Sequence, residues 1–137
     1  TSWNDPNGNA VQTSAWQGKV LIINFWASWC PPCVEEMPML SALNQELDSN
    51  SVQMVGIGID SPSNLRQFLE KTQVSYPVIV GGMSGSDWMK KLGNEQGALP
   101  YTIVIGPDGN SLFRKLGKVA KSDIENVLNA LNKPSQK

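Results

Sequence analysis

The sequence predicts an α/β layered fold, in which helices cover a central β-sheet. Residues 19–26 and 52–59 are short runs rich in valine and isoleucine, which is typical of buried strands. Between them, residues 31–48 repeat apolar side chains at helical spacing. A strand, a helix and a second strand in this order form a crossover unit, so we expect the two strands to be parallel neighbours in one sheet.

Further elements follow, each bounded by glycine, proline or serine. We expect a helix opened by Ser61-Pro62 and running through residue 69, a strand over 76–80, one or two helical turns over 87–92, strands over 101–105 and 111–116, and a helix over 122–131. The last two strands flank Gly106-Pro107-Asp108-Gly109, which is typical of a hairpin turn. The glycines between residues 81 and 85 predict a loop.

Near the start of the chain, Asn7-Gly8 predicts a β-hairpin closed by a type I′ turn. No repeat or linker interrupts the pattern, and 137 residues suit one domain, so we expect residues 1–137 to form a single unit. The chain opens at Thr1 with no initiator methionine and no apolar leader. We interpret it as a processed or truncated chain, so the missing leader or membrane tether says nothing about location.

Composition excludes several classes of function. The net charge of −1 provides no field that would recruit nucleic acid. The chain has no histidine, which excludes a Cys-His catalytic pair and a histidine-ligated metal. Its two cysteines cannot complete an all-cysteine zinc site, so we expect no metal. The strongest apolar run, residues 20–23, stops at Asn24 and is far too short to span a membrane.

The two cysteines lie in Cys30-Pro31-Pro32-Cys33, between a predicted buried strand and a predicted helix. The positive end of a helix dipole stabilises a thiolate by up to about 2 kcal/mol, which lowers the pKa of the Cys30 thiol toward physiological pH. Pro31 and Pro32 have no N–H and favour a helical φ. We therefore predict that Cys30 attacks disulfides and that the more buried Cys33 resolves them. A structural disulfide and a metal-binding role are the alternatives.

Three further stretches are informative: Gly18-Lys19-Val20, Phe25-Trp26-Ala27-Ser28-Trp29-Cys30-Pro31-Pro32-Cys33 and Glu36-Met37-Pro38. They resemble the thioredoxin superfamily, and more narrowly its TlpA/ResA/CcmG branch of bacterial thiol-disulfide oxidoreductases. The resemblance runs from the predicted hairpin to the last helix. It implies a thioredoxin-like three-layer fold with a central mixed sheet flanked by helices and an N-terminal β-hairpin.

The resemblance also implies a substrate groove. Pro100, directly before a predicted strand, matches the cis-proline that faces the cysteines in this superfamily, and a proline at a strand's first residue loses no ladder hydrogen bond. We expect the Leu99–Pro100 bond to be cis. Trp29, Leu99 and Pro100 would line the groove together with Pro31 and Pro32.

One position departs from the thioredoxin pattern. Thioredoxins carry a buried acid where this chain has Asn24, and an asparagine cannot accept the proton of Cys33. The candidates for tuning the site are Asn24 itself, Glu36, three residues after Cys33, and Asp60, at the end of the second strand. We favour an ion pair between Glu36 and Lys19, and turn or cap chemistry for Asp60.

By resemblance, the protein acts in the periplasm or at the extracytoplasmic face of a bacterial membrane. There it reduces disulfide-bearing protein substrates, for cytochrome c maturation or related assembly. A membrane thiol-disulfide protein would recharge it with electrons. It would work as a monomer without a dissociable cofactor, because the dithiol carries the electrons. Alternatives are a disulfide-forming oxidant on the same fold, a redox sensor or metallochaperone, and an interaction domain with a structural disulfide.

Overall fold

A computed structural model describes residues 3–132 of the chain. Its elements, in chain order, are β1 (Trp3–Asn4), β2 (Ala10–Val11), a 3₁₀ turn (Thr13–Trp16), β3 (Val20–Trp26), α1 (Pro31–Glu46), β4 (Val52–Gly58), α2 (Pro62–Lys71), β5 (Val78–Val80), α3 (Gly82–Lys91), β6 (Tyr101–Ile105), β7 (Ser111–Leu116) and α4 (Lys121–Asn132).

The central sheet has five strands in the order β5-β4-β3-β6-β7. Strands β3, β4 and β5 are parallel, as the crossover pattern predicts, whereas β6 and β7 are antiparallel to their neighbours. The register pairs Trp26 with Gly58, Gly58 with Val80, and Phe25 with Tyr101. The ends of β3, β4 and β5 and the start of β6 therefore lie along one edge of the sheet.

Both faces of the sheet are covered. Ile22 and Trp26 of β3 face a core that includes Met37 of α1, Leu65 of α2 and Ile124 of α4. The alternate residues of β3 face a second core with α3 and the N-terminal strands packed against it. Because β3 is buried on both faces, its sequence is an almost unbroken apolar run instead of an alternating one.

Most predicted elements are confirmed, and β6 and β7 have the predicted bounds. The predicted loop at the glycines after residue 80 is wrong, because α3 begins at Gly82 and contains Gly85. A Cβ on Gly85 would lie 3.1 Å from Ile59 Cδ1 and 3.3 Å from Ile57 Cγ2. This glycine allows the helix to approach the sheet closely, and it does not break the helix.

The N-terminal hairpin is present, but its predicted type I′ turn is wrong. A longer loop joins β1 and β2, and the Asp5 N–H donates to the Asn9 carbonyl at 2.8 Å. The Asp5 carboxylate also accepts hydrogen bonds from the backbone N–H groups of Asn7 and Asn9. Gly8 has a positive φ but Asn7 does not, whereas a type I′ turn requires both. No helix within residues 3–132 is long and apolar enough to cross a bilayer.

Candidate active site

The cysteine pair lies at the start of α1, a few residues after the end of β3. Cys30 is the N-cap of α1, and its Sγ accepts the Cys33 N–H at 3.4 Å. Pro31 and Pro32 occupy the first helical positions, where a missing N–H costs no intrahelical hydrogen bond. The cysteine pair therefore lies at a helix N-terminus, as the motif predicts. This position places the Cys30 sulfur at the positive end of the α1 dipole.

Cys30 and Cys33 are joined by a disulfide, with their Cα atoms 5.3 Å apart. Cys30 is 5 % exposed and Cys33 is 0 % exposed, so an approaching molecule reaches Cys30 first. Trp29 beside it is 64 % exposed, an unusual position for so large an apolar side chain. A redox pair with one accessible sulfur thus adjoins an exposed aromatic surface.

The structure brings Pro100 to the same edge of the sheet. The Leu99–Pro100 peptide bond is cis, as expected. Pro100 immediately precedes β6, whose first residue, Tyr101, pairs with Phe25 near the end of β3. The Pro100 carbonyl accepts a hydrogen bond from the Gly117 N–H at 2.8 Å, which holds this loop against the end of β7.

Glu36 lies in a buried polar cluster and forms no ion pair with Lys19 within residues 3–132, so that expectation is wrong. Its Oε1 accepts from Asn24 Nδ2 at 2.7 Å, and its Oε2 accepts from the Val119 N–H at 2.9 Å. Burial raises the pKa of the Glu36 carboxyl, although these two hydrogen bonds and the charge of Lys118 oppose the shift. Glu36 lies on the inner face of α1 because it is three residues after the buried Cys33.

Thr102 and Val119 belong to this cluster, and sequence reasoning did not identify either residue. Asn24 Nδ2 also donates to Thr102 Oγ1 at 3.1 Å, across the β3–β6 pair. A threonine within the apolar strand Tyr101–Ile105 is a weak signal that could have been noticed. Val119 contributes only its backbone N–H, which no side-chain pattern reveals.

Asp60 acts as a loop anchor. Its carboxylate accepts from the Ser28 N–H at 3.0 Å, the Ser28 hydroxyl at 2.5 Å, the Ser61 N–H at 2.8 Å and Asn64 Nδ2 at 2.8 Å. Burial acts to raise the pKa of Asp60, but the hydrogen bonds from Ser28, Asn64 and Ser61 outweigh it and hold this pKa below its usual range. Asp60 thereby joins the loop before Trp29 to the start of α2, which agrees with the favoured turn or cap chemistry.

These residues form an arrangement for dithiol chemistry. A cysteine pair at a helix N-terminus can exchange two electrons with another disulfide. Within the described residues 3–132, no three histidine, cysteine or acidic side chains are grouped so that they could hold a metal ion.

Comparison with known proteins identifies the class. The Redoxin family model matches residues 3–131. The thiol-disulfide oxidoreductase ResA of Bacillus subtilis is 27 % identical over 133 residues, which are 96 % of this chain and 72 % of that protein. A thioredoxin-related protein from Neisseria meningitidis serogroup B superposes with a TM-score of 0.83 at 33 % identity and covers 96 % of this chain and 99 % of its own. StoA from Bacillus subtilis superposes with a TM-score of 0.75 at 20 % identity, covers 93 % of this chain and 95 % of its own, and shows the fold alone.

The fold is therefore thioredoxin-like, with the mixed sheet and N-terminal hairpin that the resemblance implied. The chain belongs to the Redoxin family and is a thiol-disulfide oxidoreductase that resembles ResA.

Proposed function

We propose that this oxidoreductase reduces disulfides in protein substrates, with Cys30 as the attacking thiolate and Cys33 as the resolving thiol. One observation carries this assignment of roles. Cys30 caps α1 next to the exposed Trp29, whereas Cys33 lies one helical turn further on and is completely buried. Only the sulfur at the cap combines access to a protein substrate with the stabilising helix dipole.

The reaction proceeds in two exchange steps. The Cys30 thiolate attacks one sulfur of the substrate disulfide, so that an intermolecular disulfide forms and the other substrate sulfur leaves as a thiolate. Cys33, once deprotonated, attacks the Cys30 sulfur and expels the second substrate thiolate. The substrate gains two electrons and, with two protons, becomes a dithiol. The enzyme ends with the Cys30–Cys33 disulfide.

The substrate chain would lie in a groove between the N-terminus of α1 and the loop before β6. Trp29 supplies an exposed apolar wall, and Pro31 and Pro32 form the rim at the start of α1. Leu99 and the cis residue Pro100 would form the opposite wall, because β6 starts beside the end of β3.

Glu36 is the proton acceptor that we assign to Cys33. Its buried carboxyl has a raised pKa, so it binds a proton more readily than an exposed glutamate does. Asn24 cannot accept this proton, but its amide holds the Glu36 carboxylate by a hydrogen bond. Asp60 stays ionised and positions the loop that carries Trp29.

We place this activity at the outer face of a bacterial cytoplasmic membrane, in cytochrome c maturation or related assembly. The resemblance to the TlpA/ResA/CcmG branch and relatives named ResA support this placement. A membrane thiol-disulfide protein would return the enzyme to the dithiol form, and a monomer would suffice. No dissociable cofactor is required.

Trapping of the mixed disulfide tests the assignment. Cys33→Ser should accumulate a covalent complex with a disulfide-bearing protein, because the resolving thiol is missing. The matched variant Cys30→Ser should trap nothing and lose turnover. Complexes would be separated on non-reducing gels and the bonded cysteine located by mass spectrometry. Trapping through Cys33 in Cys30→Ser would reverse the proposed roles, and intact partner binding without exchange would indicate a structural disulfide.

A further inference from the structure

Three buried polar atoms beside the active-site cluster form no hydrogen bond with any residue in the range 3–132. They are Asn24 Oδ1, Trp26 Nε1 and the Tyr76 hydroxyl. Asn24 and Trp26 are 0 % exposed, and Tyr76 is 3 % exposed. Buried polar groups in native proteins almost always have a partner, either in the protein or in ordered water. Each of these three atoms is therefore expected to have a partner in ordered water.

Two of these side chains meet above Gly56 of β4, and the third, Asn24, lies on the adjacent strand β3. A Cβ on Gly56 would lie 3.0 Å from Tyr76 Cε1 and 3.1 Å from Trp26 Nε1, so these two rings meet above this glycine. Asn24 is the register partner of Gly56 on β3. The Asn24 amide nitrogen donates to Thr102 on β6, on the opposite side of β3. The Asn24 amide oxygen, on the other arm of the same planar amide, is therefore directed away from Thr102.

The hydrogen-bonding capacities of these atoms match those of one water molecule. The Trp26 indole N–H can only donate, the Asn24 amide oxygen can only accept, and the Tyr76 hydroxyl can do either. A water molecule at this position would accept from Trp26, donate to Asn24 and form a third bond with Tyr76. About three hydrogen bonds is the usual number for a buried water.

We propose that Trp26, Tyr76 and Asn24 form an internal water-binding site, and that the bound water fixes the Asn24 amide in the orientation that donates to Glu36. Trp26 and Tyr76 are then positioning residues that act on Glu36 through Asn24. Burial and the negative charge of Glu36 raise the pKa of the Tyr76 hydroxyl, which keeps it a neutral donor and acceptor. The functional part of this inference rests on the role proposed above for Glu36.

The indole N–H of Trp26 provides a direct probe of the water. In ¹⁵N-labelled oxidised protein, we expect magnetisation transfer between this N–H and a long-lived bound water, with Trp26→Phe used to assign the signal. Tyr76→Phe removes one of the three partners of the water, so the transfer should weaken. Tyr101→Phe is the matched control, because the chain has two tyrosines and the Tyr101 hydroxyl already donates to the Leu92 carbonyl at 2.7 Å.

The titration of the Glu36 carboxyl carbon provides the second readout. It is followed in the oxidised protein, where the two cysteines do not titrate. Tyr76→Phe should raise the pH at the midpoint of the Glu36 titration. An Asn24 amide whose orientation is less fixed donates a weaker hydrogen bond to the Glu36 carboxylate and stabilises its charged form less. Tyr101→Phe should leave the midpoint in place. Tyr76 and Glu36 also interact directly, so a shifted midpoint supports the inference when the water contact of the Trp26 N–H weakens in the same variant, and contradicts it when that contact is unchanged.

Two further results would overturn the inference. The first is wild-type protein whose Trp26 N–H shows no water contact, a measurement that needs no variant to fold. The second is an Asn24 amide nitrogen that points toward Tyr76, since the two side chains would then satisfy each other directly. Turnover is measured separately. A water contact in wild-type protein that fails to reduce disulfides would refute the proposed function and leave the water site intact.

Discussion

Two carboxyl groups near the active-site helix have pKa values shifted in opposite directions by their surroundings. Glu36 is buried on the inner face of α1, and burial raises its pKa although two hydrogen bonds oppose the shift. Asp60 lies at a loop junction, and four hydrogen bonds hold its pKa below the usual range. Burial thus favours the neutral form of Glu36, whereas hydrogen bonding favours the charged form of Asp60.

The raised pKa of Glu36 predicts how stability depends on pH. Because the folded protein binds this proton more tightly than the unfolded chain does, the free energy of unfolding decreases as pH rises from the ordinary glutamate pKa through the raised value. Glu36→Gln should remove that decrease. Denaturant unfolding of the oxidised protein across this pH window measures it.

Glu35→Gln is the matched control for this measurement. Glu35 is the preceding residue, its side chain is 60 % exposed, and it pairs with Lys118 on the surface. Exposed ion pairs contribute little to stability, so the control should retain the wild-type pH dependence. Equal pH profiles for wild type and Glu36→Gln would contradict the burial argument.

At the scale of elements, one carboxylate connects two loops of the active-site edge. Asp60 follows β4, accepts hydrogen bonds from Ser61 and Asn64 at the start of α2, and holds Ser28 in the loop between β3 and α1. The Ile59 N–H also donates to the Trp26 carbonyl at 2.7 Å, which joins the same two loops through the backbone. The loop before Cys30 is thus supported by its neighbouring strand.

Asp60→Ala should weaken this support. It leaves the N–H groups of Ser28 and Ser61 without their acceptor, and we expect a loss of about 1–2 kcal/mol in the free energy of unfolding. Because the lowered pKa of Asp60 makes its contribution depend on ionisation, this difference from wild type should be present above the ordinary aspartate pKa. It should shrink as pH falls through the lowered value.

Chemical denaturation at several pH values measures the effect, with Asp87→Ala as the control. Asp87 is an exposed aspartate of α3, away from both loops, and its removal should change stability by less than about 0.5 kcal/mol. Equal losses for the two variants would mean that the Asp60 hydrogen bonds contribute nothing specific.

At the scale of the whole molecule, the reduction potential of the Cys30–Cys33 pair decides the direction of the reaction. A reductant should have a potential of about −200 to −300 mV, whereas a value near about −120 mV would indicate a disulfide-forming oxidant. We expect the first range. Equilibration with glutathione, read by tryptophan fluorescence, measures it. A reduction potential well below about −300 mV, together with slow exchange, would indicate a structural disulfide and would refute the enzymatic role.

Local chemistry made much of the architecture predictable. The apolar runs at β3 and β4 and the helical spacing of α1 depend on burial and on the periods of strand and helix, which operate within a few residues. The N-cap position of Cys30 is equally local, because it needs only a strand, two prolines and a helix start. The prediction of a loop at Gly85 is wrong because the sequence does not distinguish a glycine that permits close packing from one that permits a turn.

The amino-acid sequence by itself determined the order of the elements, the position of the cysteine pair at a helix N-terminus and, through resemblance, the cis-proline opposite it. Tertiary structure alone decided the partners of Glu36. The Val119 N–H comes from a residue 83 positions further along the chain, and Asn24 comes from the adjacent strand. Long-range contacts depend on how helices and sheet pack together, and local spacing in a sequence carries no record of them.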